Sequence, residues 1–121
     1  MNNREIGRQG EQIAENFLKQ QGYIIVEKNF WCRYGEIDLI AKINDYLSFI
    51  EVKLSSAHHS VAPEYKINRM KQEKMKKVAQ YYLNFRDLQL DFRFDVVLIT
   101  EEENKTNINL IQDAFWIKER V

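Results

Sequence analysis

The stretch from Glu36 to Lys53 constrains this chain more than any other. Glu36–Ala41 alternates polar and apolar residues, Leu47–Lys53 is a second β-prone run, and Lys42-Ile43-Asn44-Asp45-Tyr46 lies between them. Alternation of period two belongs to a half-buried strand, and an Asn-Asp centre suits a tight turn. The expectation is an antiparallel hairpin with Asn44 and Asp45 at its tip. That register sets Asp38 opposite Glu51 and Glu36 opposite Lys53. It also places Leu47, Phe49, Glu51 and Lys53 on one face of the second strand, with Ser48, Ile50 and Val52 on the other. Directly opposed side chains stand about 4.5–5.5 Å apart at Cβ, and like charges so placed are destabilising.

Two carboxylates held together need a compensating charge. A divalent cation supplies it, because Mg²⁺ takes one or two protein carboxylates and completes its shell with phosphate and water. On this reading Asp38 and Glu51 are metal ligands. Lys53 stands beside them to hold or help deprotonate a water and to stabilise phosphoryl charge. A plainer reading also fits: a hairpin with its charges in solvent and Glu36–Lys53 as a surface pair.

The rest of the chain supplies a sheet and two helices. Residues from about Arg4 to Gln21 form an amphipathic helix, with Ile6, Gly10, Ile13, Ala14 and Phe17 on one face and Gly22 as terminator. Tyr23–Val26 reads as a short strand, Ser55–Pro63 as a polar loop, and Arg69–Phe85 as a second helix capped by Asn68. That helix turns Met75, Val78, Ala79, Tyr82 and Leu83 inward. Phe92–Thr100 is the most β-prone run, Glu101–Asn107 a polar turn, and Ile108–Ile117 a weaker strand or extended tail. The order is α-β-β-β-α-β with one more strand at most: an α/β fold with one mixed sheet flanked by helices, and a single domain over 1–121.

Glu11 sits at the border of the buried stripe of the first helix, beside Gly7, Ala14 and Leu18. There it is either a third carboxylate reaching the hairpin or an ordinary exposed acid. Lys71 has the same ambiguity on the second helix, where the plainer reading lays its stem along apolar surface and its head in water.

Net charge is zero, 18 basic against 18 acidic residues, so overall charge selects no partner. Its distribution is more informative: Lys66, Arg69, Lys71, Lys74, Lys76 and Lys77 face only Glu73 in that segment. Such a helix is either a phosphate-facing surface or a solvated face.

Taken together, Gly35-Glu36-Ile37-Asp38-Leu39-Ile40-Ala41 and Phe49-Ile50-Glu51-Val52-Lys53 resemble the signature of the YraN-like family of endonuclease-like proteins. The segment is also similar to archaeal Holliday-junction resolvases. Gly7-x-x-Gly10-Glu11, Gly22-Tyr23, Asn29, Cys32-Arg33, Lys71-Gln72, Tyr82-Leu83 and Arg93-Phe94-Asp95-Val96 extend the resemblance over nearly the whole chain. It implies a restriction-endonuclease-like fold, Asp38 and Glu51 as ligands of Mg²⁺ or Mn²⁺, Lys53 as catalytic lysine and Glu11 as accessory acid. Lys71 or Gln72 would stand near the site, and a homodimer would present two sites. Three positions depart from the pattern: Ser55 where an arginine is expected, Trp31 where a basic residue is usual, and Ala62 where a glycine is usual. The first two changes take positive charge from the phosphate approach.

Other features carry less. His58 and His59 are adjacent, so their side chains diverge, and no third His or cysteine pair completes a zinc set. Cys32, the one cysteine, reads as a structural thiol and fits a reducing compartment. Phe30, Trp31 and Tyr34 flank Arg33; they are either base-stacking rings or core. Arg93 and Asp95 read as an internal ion pair or as structural contacts. No apolar run approaches the ~20 residues of a membrane span, so a cytoplasmic protein without membrane contact is expected. Two functions follow, beside a weaker third, a structural or assembly role with no nucleic acid. One is a metal-dependent DNA endonuclease with Glu11, Asp38, Glu51 and Lys53 in its site and Arg33, Lys66, Arg69, Lys71, Gln72 and Lys74 toward the nucleic acid. The other is a nucleic-acid-binding module of the same fold with little or no cleavage.

Overall fold

The computed structural model describes residues 3–56 and 67–115. Helix α1 (Asn3–Gln20) leads into strands β1 (Ile24–Cys32), β2 (Gly35–Ile43) and β3 (Tyr46–Ser56). Helix α2 (Arg69–Phe85) and strands β4 (Asp91–Glu102) and β5 (Lys105–Ile111) follow. The five strands form one sheet in chain order. Only β3 and β4 run parallel, with α2 between them in the chain; the other neighbours are antiparallel hairpins. The sheet is therefore mixed, as the sequence implies.

Both faces are covered, and strand alternation sorts the residues between them. On one face Phe49, Phe94, Val96 and Leu98 pack with Met75, Val78, Ala79 and Tyr82 of α2. On the other, Ile50, Val97, Ile99, Leu39 and Ala41 pack with Ala14 and Leu18 of α1. Helix α1 stops at a Schellman turn: Gly22 takes φ 95°, the Tyr23 N–H donates to Leu18 O at 2.9 Å, and the Gly22 N–H to Lys19 O at 3.1 Å. Glycine suits that left-handed position because it has no Cβ to clash. Asn68 caps α2, its side chain accepting from the Lys71 N–H at 2.9 Å.

The β2–β3 turn is where the sequence places it. Ile43 pairs with Tyr46, Asn44 has φ 53°, and the ladder runs in the expected register to Leu39–Ile50. There it ends. The Asp38–Glu51 and Glu36–Lys53 rungs are not formed; Glu36 instead pairs with Trp31 across the β1–β2 ladder.

Four boundaries differ from the sequence reading. Strand β3 runs on through Ser55 and Ser56, expected in the polar loop, which instead pair with Thr100 and Glu101. Strand β1 begins one residue later than expected and continues to Cys32 through a bulge between Ile25 and Glu27. The segment Glu101–Asn107 is mostly strand, with a turn of two left-handed residues, Glu103 and Asn104 (φ 45° and 66°). The last strand ends at Ile111 rather than 117. The loop residues His58, His59, Ala62 and Pro63 lie outside the described residues.

A buried polar cluster ties the sheet edges together. Asp95 is fully buried and accepts from Ser48 Oγ at 2.6 Å, Tyr23 Oη at 2.8 Å and the Asp113 N–H at 2.8 Å. It also pairs with Arg93 at 3.1 Å, the internal ion pair expected from the sequence.

Candidate active site

The site lies where β2 and β3 part. Past Leu39–Ile50 the strands no longer share backbone bonds, and the Val52 N–H donates to Asp38 Oδ2 at 2.8 Å. Asp38 thus takes over a donor that the ladder abandons, which fixes its carboxyl between the two strands. Glu51, buried to 8 % exposure, lies on the α2 face with Phe49. One of its oxygens, Oε1, is held by the ammonium of Lys71 from α2. That replaces the expectation that the head of Lys71 lies in water.

Electrostatics show how closely these groups are coupled. The Asp38 carboxyl is pushed up to about 7, first by burial and then by the Glu51 carboxylate. The Val52 N–H opposes the rise, the Glu11 carboxylate adds to it, and the Lys71 ammonium opposes it. Glu11 therefore acts on Asp38 from the opposite side of the sheet. Its position follows from Gly10, where a Cβ would stand 3.7 Å from the Leu54 side chain, so α1 runs close against the end of β3. Lys53 is exposed, two residues beyond Glu51 on the same alternation. Its expected surface pair with Glu36 does not form.

Among the described residues no three His, Cys, Asp or Glu side chains converge closely enough to enclose a metal. Two mutually repelling, largely buried carboxylates on adjoining strands nevertheless suit a hard cation that keeps water or phosphate in the rest of its shell. Asp38 and Glu51 would hold it, with Lys71 now supplying the positive charge on Glu51.

The predicted nucleic-acid residues divide. Lys71 and Lys74 line a cleft of about 410 Å³ with Glu36, Asn68 and Met70. Gln72 turns back to its own loop, donating to Ile67 O at 2.7 Å. Arg69 is exposed and tied to Glu73 at 3.3 Å. Arg33 lies over the Tyr34 ring, 4.7 Å from its centroid. Lys66 lies outside the described residues. Sequence reasoning missed the bond from Val52 to Asp38 and the buried Glu15, which pairs with Lys28 at 3.0 Å and Lys19 at 3.1 Å. The spacing of Glu15 and Lys19 signals their pair; nothing local signals Lys28. No helix is long and apolar enough to cross a membrane among the described residues.

Residues 10–99, which include Glu11, Asp38, Glu51, Lys53 and Lys71, match a family model described as "Uncharacterised protein family UPF0102". A UPF0102 protein of Clostridium tetani is 44% identical over 118 residues, covering 95% of this chain and 97% of its own. One from Caldicellulosiruptor bescii is 44% identical over 120 residues, covering 95% and 100%. One from Thermodesulfovibrio yellowstonii is 39% identical over 112 residues, covering 93% and 96%.

Proposed function

We propose that this chain, which belongs to the uncharacterised protein family UPF0102, is a divalent-cation-dependent DNA endonuclease that hydrolyses phosphodiester bonds. One observation carries the reading: Asp38 and Glu51 share a largely buried corner in which their repulsion helps push Asp38 up to about 7. Such a pair costs the fold stability even with Lys71 on Glu51, and a positively charged ligand beside Asp38 would offset that cost. The resemblance to resolvases and restriction-endonuclease-like proteins supports the same reading.

A bound Mg²⁺ or Mn²⁺ would supply Lewis acidity, activating water and offsetting charge on the departing oxygen. The chain's own groups do the rest. The Val52 N–H fixes the orientation of Asp38. Lys53 offers an ammonium to the attacked phosphate from the strand that carries Glu51. Lys71, paired with Glu51, and Lys74 line a neighbouring cleft along which a phosphate backbone would lie. Glu11 adds negative charge from α1, which strengthens cation binding at Asp38.

A second reading, binding without cleavage, is favoured by the Lys71–Glu51 ion pair, which already neutralises one of the two acids. The experiment separates them. Labelled duplex, single-stranded and branched DNA is incubated with Mg²⁺ or Mn²⁺ and either wild type or Asp38→Asn. Cation-dependent cutting that disappears in the variant supports the nuclease. Cutting by Asp38→Asn at the wild-type rate refutes the assignment of Asp38. Salt-sensitive binding without cutting selects the second reading.

A further inference from the structure

We propose that the outer flank of α2 ends in a platform that stacks an unpaired nucleobase, so that the substrate strand is single-stranded on one side of the cut. The inference rests on the nuclease reading only for what lies at the other end of that strand.

The platform is a cleft of about 530 Å³ lined by Tyr34, Lys77, Gln80, Tyr81, Asn84 and Phe85. Three linings are aromatic, two are carboxamides, one is an ammonium, and none is an acid. Phe85 is 67 % exposed and Tyr81 38 % exposed, although both are large apolar rings. They lie nearly parallel, at 7°, with centroids 6.1 Å apart, and Tyr34 meets Tyr81 edge-on at 6.2 Å. Ring contacts therefore hold the platform in shape while its outer surface stays open. Arg33, stacked over Tyr34, adds a second cation beside it.

Helical geometry connects this platform to the acid pair. At 100° per residue, Lys74, Lys77, Tyr81 and Phe85 fall within an arc of about 80° on α2, bordering the buried stripe of Met75, Val78, Ala79 and Tyr82. Lys71 and Lys74 line the neighbouring cleft that contains Glu36. From Lys71, on Glu51, to Phe85 is about 21 Å by helical rise. A polyanion laid along this flank meets ammonium groups first and aromatic rings at its far end. That sequence of chemistries fits a single strand, since cations track the backbone and rings take the exposed face of a base. Duplex bases already stack on one another and offer no such face. The two carboxamides can donate to and accept from the edge of the base.

The test uses the full chain in EDTA, where cutting plays no part. Fluorescence anisotropy is measured with a labelled oligothymidylate and with a duplex of equal length. Tyr81→Leu and Phe85→Leu are each expected to weaken single-strand binding roughly 5- to 150-fold, the range for losing one stacked base. Duplex affinity should not change, and Phe85→Trp should retain single-strand binding. Three outcomes overturn the platform: unchanged single-strand affinity in both leucine variants, equal losses on duplex, or no single-strand binding by wild type at low salt. A wild-type dimer that Phe85→Leu converts to monomer in sedimentation would also overturn it, because the rings would then be covered by a second copy. Cation-dependent cutting of any of duplex, single-stranded or branched DNA by wild type, and its loss in Asp38→Asn, reports on the nuclease reading separately, so either idea can fail alone.

Discussion

Replacing Asp38 with asparagine should make the cation-free protein more stable at alkaline pH, and the structure sets the size of the gain. The Asp38 carboxyl titrates at about 7 in the folded chain against an ordinary value of 3.8. Between those values the folded chain holds a proton that the unfolded chain has released. Stability therefore falls as pH rises through the window from about 4 to 7, and the loss levels off above it. A difference of about three units at 1.36 kcal/mol each gives roughly 4 kcal/mol at pH 8. Asparagine removes the charge and keeps an oxygen for the Val52 N–H. At pH 8 Asp38→Asn should thus exceed wild type by roughly 2–4 kcal/mol, and at pH 4 the two should nearly coincide. Urea unfolding in EDTA at pH 4, 6 and 8 measures this. With slopes of about 1–3 kcal/mol/M, the midpoints at pH 8 should separate by roughly 0.7–4 M. Adding Mg²⁺ at pH 8 should raise the wild-type midpoint and leave the variant's in place. Parallel pH profiles for the two proteins would refute the argument, since Asp38 would then titrate alike in folded and unfolded chains.

The Asp95 cluster gives a second outcome. Asp95→Ala leaves Arg93, Tyr23 and Ser48 without their shared buried acceptor and should cost roughly 3–5 kcal/mol in urea unfolding; a cost under 1 kcal/mol would show that water replaces the carboxylate. Asn68→Ala should cost about 1 kcal/mol and Asn68→Asp much less, because only the first removes the acceptor for the Lys71 N–H; equal effects would refute the capping role.

Local chemistry explains what could be read from the residues. The hairpin was legible because its turn and its alternation agree on a single register, which holds from Ile43–Tyr46 to Leu39–Ile50. Helix α2 was legible at both ends for the same reason, with Asn68 before it and a buried stripe through it. Strand β5 was legible only from Ile108, as a weaker strand or tail, because Lys105–Asn107 is exposed at an edge and mimics a loop. The full length of β1 was hidden similarly by its exposed, partly polar sequence. At the site, the proximity of Asp38 and Glu51 followed from the register, but the parting of their strands did not. It depends on a bond from the backbone of Val52, to which sequence patterns are blind. Lys71 reaches Glu51 only because the β3–β4 crossover lays α2 across that face, and such a contact has no local signature.

That crossover also orders the events of folding. Paired residues of β3 and β4 are about 45 positions apart, whereas β2 and β3 close across a two-residue turn. The entropy of closing the long loop must be met before its contacts repay it, so the hairpin is the earlier structure. Its ladder stops one rung short of Asp38 and Glu51, which lets it zip without pressing two charges together. Their desolvation arrives only when β4 pairs and α2 docks, and docking brings the Lys71 ammonium with it. Amide protection during refolding should accordingly appear in Leu39–Ile50 before Asp91–Glu102. The nascent chain meets its least favourable electrostatics late, in the same step that compensates them.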